Sequence, residues 1–273
     1  MTDAKLLPGF EERSAVVRGG RLRYYVGGEG PPVVLVHGLG DDHRAWRRVV
    51  APLMLTRRVV LYDLRGHGGS PLGDDADGSL AQLGADLVEV LDDAGIERAT
   101  IAGFSLGGTI AMRAAIDAPE RVAGLALIGT SSRVNSAARG WYEERAALVE
   151  NDDPELRATL DKDTEDVYRN RPEEIEAGLR IRRESTTDPR GFANACLAMA
   201  SLNESPLDPE LGAISQPTVI VAGDNDQHCP PRASEIIAGE IAGSTLRVIE
   251  DTGHPLPVER PHEVAEAIEE VSG

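Results

Sequence analysis

The sequence predicts an α/β protein built on a mostly parallel sheet of eight strands with flanking helices. Three observations carry this. Apolar runs such as Val33-Val34-Leu35-Val36 and Leu125-Ala126-Leu127-Ile128 are continuous rather than alternating, the pattern of strands buried on both faces. Helical patterns separate most of these runs, which is the crossover arrangement that parallel pairing requires. The runs also end in glycine-rich loops, where a parallel sheet presents its ligand face. At 273 residues the chain is long enough for a sizeable core.

Taken in order, residues 1–13 read as a loosely held tail, and residues 15–18 and 22–26 as two antiparallel strands joined at Gly19-Gly20. The buried strand at 33–36 ends in His37-Gly38-Leu39-Gly40, and a helical stretch follows at 43–55. The next strand, 58–62, runs into Asp63-Leu64-Arg65-Gly66-His67-Gly68-Gly69-Ser70-Pro71. Residues 79–94 are helical, with Leu80, Leu83, Leu87, Val90 and Leu91 on one side, and lead through Gly95 to a short strand at 99–102. Ile110, Ala111, Ala114 and Ala115 then recur at helical spacing, and the strand at 125–128 follows.

Beyond it the alternation breaks. Between residues 131 and 212 no strand pattern occurs, but amphipathic helices do, at 141–149, 155–168, 173–186 and 190–202. This is a helical cap inserted after the sixth strand, dividing the core into 1–130 and 213–273 around a cap at 131–212. The pattern resumes with strand 218–222, helix 232–241, strand 245–249 and a terminal helix at 262–271.

Composition narrows the function classes. With 28 basic against 46 acidic residues the net charge is -18, which disfavours nucleic acid and anionic membrane as partners and favours a small-molecule substrate. Lys5 and Lys162 are the only lysines, a compositional bias without bearing on the chemistry. Cys196 and Cys229 lie far apart and form no C-x-x-C pair, so neither a disulfide framework nor a thiolate metal site is expected. Residues 1–10 lack the basic start and apolar run of a signal peptide, and no window approaches the ~18 apolar residues of a membrane span. A cytoplasmic protein is expected; oligomeric state is left open, a homo-oligomer included.

The chemistry centres on Ala102-Gly103-Phe104-Ser105-Leu106-Gly107-Gly108, where a strand stops and a helix begins. In a G-x-S-x-G turn the serine occupies a strained conformation with its hydroxyl exposed, and the glycines stand where a Cβ would clash. By composition alone the motif arises in about one chain in ten of this length, so its context matters. A serine nucleophile needs a base to take its proton and an acid to orient that base. Two later strands run into suitable loops: Gly223-Asp224-Asn225-Asp226-Gln227-His228-Cys229-Pro230, and Glu250-Asp251-Thr252-Gly253-His254-Pro255. The order is then serine, aspartate, histidine, with Asp224 and Asp226 both candidates for the acid.

From His37 to Pro261 the chain resembles the α/β-hydrolase superfamily, on five motifs in the right order. These are His37-Gly38, the Asp63 to Ser70 loop as D-x-R-G-x-G-x-S, the Ser105 elbow, Gly223 to Pro230 as G-x-x-D-x-x-x-P, and Gly253-His254 followed by Glu259-Arg260-Pro261. The resemblance places the acid at Asp226 and implies acyl transfer. Ser105 attacks a carbonyl, His254 accepts its proton, and Asp226 supports the imidazole. The backbone N–H groups of Leu39 and Leu106 form the oxyanion hole, each worth on the order of 3 kcal/mol. No metal or organic cofactor is implied. The elbow, the short cap and the size are most similar to 3-oxoadipate enol-lactonases and small carboxylesterases. Haloalkane dehalogenases are disfavoured because they carry aspartate where Ser105 stands. Carbon–carbon bond hydrolases, acyltransferases or cyclases, and non-catalytic members share the fold and stay open.

Phe104, Trp141, Leu197, Met199 and His228 are the candidates for the substrate pocket, with Tyr142 alongside Trp141. His37 is expected to brace the oxyanion loop and His67 to belong to a structural turn held by Asp63 and Arg65. His43 and His262 read as surface or helix-start residues. Arg182 and Arg183, in so acidic a cap, are expected to pair with neighbouring acids.

Overall fold

The computed structural model describes residues 7–273. Eight strands form one sheet: β1 (Glu11–Val17), β2 (Gly20–Gly27), β3 (Pro32–Val36), β4 (Arg58–Tyr62), β5 (Ala99–Phe104), β6 (Val122–Ile128), β7 (Thr218–Gly223) and β8 (Thr245–Ile249). Their spatial order is β1-β2-β4-β3-β5-β6-β7-β8. The β1–β2 and β2–β4 pairs are antiparallel, and the rest are parallel. Of the tail expected at residues 1–13, residues 1–6 lie outside the described ones. Residues 11–13 are strand, because Glu11, Glu12 and Arg13 pair with Val26, Tyr25 and Tyr24.

The period of two along β3 and β4 explains why the runs are apolar throughout. Val34, Val36, Val60 and Tyr62 face one layer, packed with Leu83, Leu87 and Val90 of α2 (Leu80–Asp93) and Ile110, Ala111 and Ala114 of α3 (Leu106–Asp117). Val33, Leu35, Val59 and Leu61 face the other layer, with Trp46, Val49, Leu53, and Val264 and Ile268 near the C-terminus. Each buried aliphatic side chain is worth about 1.5–3 kcal/mol of transfer free energy. Helix α2 starts where Ser79 accepts the Gln82 N–H at 3.1 Å, an N-cap that satisfies an otherwise orphaned donor.

The continuous helix expected at 43–55 is not formed. A 3₁₀ turn (His43–Trp46) gives way to a single turn α1 (Val50–Leu53). Pro52 explains the restart: it has no N–H to donate and its ring would strike the carbonyl four residues back, so a helix through 43–55 breaks, whereas the first turn of a new one tolerates it.

Four helices lie between β6 and β7: α4 (Ser136–Glu150), α5 (Leu156–Val167), α6 (Ile175–Ser185) and α7 (Pro189–Ala200). Helix α7 joins them to the core. Ala195, Ala198 and Met199 enter the apolar layer over the sheet, while Phe192 and Cys196, on another face, pack with Ala146 and Leu160 of α4 and α5. The chain ends with α8 (Pro231–Glu240), the short α9 (Leu256–Glu259) and α10 (Pro261–Glu270). Among the described residues no helix is long and apolar enough to cross a membrane.

Candidate active site

Ser105 occupies the junction between β5 and α3 at φ 53°, ψ -120°, a left-handed conformation that a serine enters only under constraint. Two hydrogen bonds hold it. Its N–H donates to Ile128 O at 2.9 Å, and Thr130 Oγ1 donates to Ser105 O at 2.7 Å. The flanking glycines are sterically required: a Cβ on Gly103 would stand 2.2 Å from Gly107 O, and one on Gly107 would stand 2.1 Å from Val36 O.

Past the ends of β7 and β8 the two later loops converge on this elbow. His254 Nε2 lies 3.1 Å from Ser105 Oγ, and His254 Nδ1 lies 2.8 Å from Asp226 Oδ2. The other carboxylate oxygen, Oδ1, accepts the N–H groups of His228 and Cys229, each at 2.8 Å. Burial pushes the Asp226 pKa up, but the charge and hydrogen bond of His254 and the two backbone donors outweigh it, and the net shift is downward. Asp226 is therefore held as a carboxylate, and the proton between it and His254 sits on Nδ1. Asp224, the other candidate, is exposed and accepts the Thr252 N–H at 3.1 Å instead. The His254 loop is braced from below. Glu259 Oε2 accepts the Gly253 N–H at 2.9 Å, and Arg260 Nε donates to Thr252 Oγ1 at 2.8 Å.

The loop after β3 is fixed by His37, which is fully buried. Nε2 accepts the Leu64 N–H at 2.9 Å, so Nδ1 carries the proton and donates to Gly38 O at 2.8 Å. Leu39 lies on the wall of the same cavity as Ser105, and Leu106 is the first residue of α3, whose opening N–H groups have no partner within the helix. Asp63 accepts from His43 N and Nδ1 and from Gly69 N, and Arg65 makes two hydrogen bonds to Asp86, at 2.6 and 2.9 Å. These residues hold the loop, as their motif suggests. His43 starts the 3₁₀ turn, as one of its two readings has it, but it is not on the surface: it is 3% exposed and its ring lies 3.9 Å from the Tyr25 ring. Its spacing to Asp63, twenty residues away, gives no sequence signal.

A cavity of about 320 Å³ opens over Ser105 and His254, walled by the loop after β3 on one side and by the inserted helices on the other. Of the expected pocket residues, Phe104, Trp141, Tyr142 and His228 line it. Phe104 and His228 each place a ring within about 5 Å of the His254 ring, at 5.1 and 5.0 Å. Burial and the neighbouring His254 lower the His228 pKa to about 4, so this ring is neutral at pH 7. Leu197 and Met199 are corrected. Leu197 is 48% exposed, and Met199 is buried in the core over the sheet. Helix α7 presents one face to the sheet and another to helices α4 and α5, and neither residue lines the cavity. Lining residues the sequence did not single out include Asp41, Asp163, Val167, Tyr168 and Gln227. They come from separate segments with no shared motif. Asp163 is clasped by Arg145 at 2.9 and 3.1 Å, and that guanidinium stacks 4.3 Å from the Trp141 ring.

A strained serine at a strand–helix elbow, with a histidine and an aspartate from the last two strand ends in hydrogen-bond reach, makes this the candidate site of an α/β-hydrolase fold. The chain belongs to the alpha/beta hydrolase fold family, whose model matches residues 31–261. It is 33% identical over 237 residues to 3-oxoadipate enol-lactonase 1 of Acinetobacter baylyi, covering 85% of this chain and 84% of that one. A protein of Variovorax paradoxus provisionally named carbamate hydrolase RutD is 31% identical over 254 residues, covering 90% of this chain and 91% of its own. Among solved structures, the enol-lactonase from Burkholderia xenovorans LB400 superposes with a TM-score of 0.84 at 27% identity, covering 95% of this chain and 99% of that one.

Proposed function

We propose that the protein hydrolyses small carboxylic esters or lactones through an acyl-enzyme on Ser105. The observation that carries this reading is the relay of Ser105 Oγ, His254 and Asp226, at 3.1 and 2.8 Å, at the floor of a small-molecule cavity. The similarity to enol-lactonases supports it.

In this mechanism His254 Nε2 removes the proton as Ser105 Oγ attacks the carbonyl carbon. The oxygen that becomes negative is met by the Leu39 and Leu106 N–H groups at the positive end of the α3 dipole. His254 then gives its proton to the leaving alkoxide. A water, deprotonated by the same nitrogen, attacks the acyl-enzyme and returns Ser105 to its starting state. Asp226 keeps Nε2 free of its proton in the resting enzyme and stabilises the imidazolium that forms. In a lactone the leaving alkoxide stays tethered to the acyl group, so one molecule leaves rather than two. Residues 131–212 act as the cap that walls this site, and the two unpaired, buried cysteines fit a cytoplasmic, reducing setting.

The test is hydrolysis of a panel of p-nitrophenyl esters and simple lactones by wild type and Ser105→Ala. The substitution is expected to lower kcat by about 10⁴-fold or more. Labelling of Ser105 by a fluorophosphonate without turnover of any ester or lactone would instead favour a non-hydrolytic member of the fold.

A further inference from the structure

The inserted helices bring to the cavity one charge that hydrolysis itself does not use. Of the two adjacent arginines on α6, Arg183 pairs with Asp161 at 2.7 Å, as expected for the surface of an acidic cap. Arg182 does not. It is 7% exposed, it lines the same cavity as Ser105 and His254, and its Nε has no hydrogen-bond partner. Among the described residues no carboxylate comes within ion-pairing distance of it.

Its position is set by shape. The guanidinium rests on Gly40, where a Cβ would stand 2.7–2.8 Å from three of its atoms, and it lies 5.9 Å from the Phe192 ring centroid. Gly40 follows Leu39, so the cation borders the loop assigned to the oxyanion hole. A guanidinium held at a cavity wall without an acid in contact is a ready partner for an anion that enters, because a charge-assisted, two-pronged pair replaces its exposure to the cavity. The surrounding groups do not neutralise it. His67 is uncharged, its pKa lowered to about 3 chiefly by burial, with the neighbouring His37 and Arg182 adding to the shift, and burial keeps the Tyr168 hydroxyl protonated. Asp163 is occupied by Arg145. Asp41 shares the wall and is attracted through space, but it is not in contact, and burial raises its own pKa.

We propose that Arg182 binds a free carboxylate of the substrate, so that the preferred substrates are esters or lactones whose acyl portion carries a second, ionised carboxyl group. This rests on the hydrolytic reading and narrows it to a substrate class. With a net charge of -18 the protein does not attract anions at long range, so the selectivity is local to the guanidinium. Its planar fork suits a carboxylate in a way that an ammonium does not.

The experiment compares p-nitrophenyl pentanoate with the mono-p-nitrophenyl ester of glutaric acid, which has the same chain length and one added carboxylate. Arg182→Met is expected to lower kcat/KM for the glutarate ester by about 30-fold or more. Pentanoate should change by less than about threefold, with Arg182→Lys in between. Equal losses on both esters would overturn the proposal, since a merely structural arginine would affect both. Binding separates this outcome from failure of the hydrolytic reading. Glutarate is titrated calorimetrically into Ser105→Ala with and without Arg182→Met, and affinity is expected to fall about tenfold or more when the arginine is removed. Asp41→Asn, which keeps Arg182, is expected to tighten glutarate binding. Glutarate binding that depends on Arg182, with no ester turned over, sinks hydrolysis and leaves the anion site standing. Ester turnover with glutarate binding indifferent to Arg182 and Asp41 sinks the anion site alone.

Discussion

His37 joins two loops by itself: its Nε2 accepts the Leu64 N–H at 2.9 Å while its Nδ1 donates to Gly38 O at 2.8 Å. The carbonyl it holds belongs to the residue before Leu39, so the imidazole sets the direction of the peptide whose N–H is proposed to face the oxyanion. His37→Ala is expected to leave substrate binding nearly intact and to lower kcat by about 10- to 100-fold, less than outright loss of an oxyanion donor. Steady-state kinetics on one ester, with kcat and KM resolved, checks this. A rise in KM at unchanged kcat would mean that the loop serves binding instead.

Asp226, the proposed acid of the relay, is the residue whose loss would separate orientation from nucleophilicity. Asp226→Asn keeps the shape but offers His254 the wrong tautomer, and kcat is expected to fall by about 10⁴-fold with little change in KM. The same carboxylate contributes to stability. Its folded pKa lies below the unfolded value of about 3.9, so its contribution is complete above that pH and is lost as pH falls through the folded pKa. Wild type should therefore lose stability below about pH 4 more steeply than Asp226→Asn, measured by denaturant midpoints across pH 2–6.

His67 acts at higher pH. Its Nδ1 donates to Arg65 O at 3.1 Å, its Nε2 is buried without a partner, and its pKa is lowered to about 3. The unfolded chain binds a proton near pH 6.5 that the folded chain refuses, so stability falls as the pH drops from about 6.5 toward 3. His67→Asn, which still can donate to the Arg65 carbonyl, is expected to flatten this loss. An unchanged slope between pH 7 and 5 in the variant would assign the acid sensitivity to other groups, His228 first.

The sheet was legible in the sequence, and the hydrogen-bonded grouping of Ser105, His254 and Asp226 could be proposed from it, for a related reason. Strands buried on both faces leave unbroken apolar runs, and the loops of a parallel sheet gather where its strands end, so Ser105 and Asp226 each follow such a run, while His254 follows the partly exposed edge strand β8. Less local features left no such trace. The strand at Glu11–Val17 begins before any apolar run because its pairing with β2, rather than its burial, makes it a strand. The histidine at position 43 was unreadable because its partner, Asp63, is brought to it by the fold. The cavity wall was the least legible part, since it depends on how helices without a common motif pack. Arg182 and Arg183 are sequence neighbours with opposite fates, which composition cannot distinguish.

Helix α7 provides the last prediction, because its apolar residues serve three environments within about two turns. Leu197 points outward beside Gly78, Met199 is 2% exposed in the core over the sheet, and Phe192 is fully buried among the inserted helices. Leu197→Lys is therefore expected to change stability by less than about 0.5 kcal/mol and to leave kcat/KM for small esters unchanged. Met199→Ala should cost about 2–5 kcal/mol of stability by leaving a cavity under the helix. Because Met199 does not touch substrate, its effect on the acyl-chain profile should be uniform across chain lengths. If either substitution shifted the preferred acyl length, α7 would have to turn during catalysis and present to the cavity a face that it holds elsewhere at rest. Denaturation curves measured beside a p-nitrophenyl ester series on the two variants distinguish a fixed wall from a moving one.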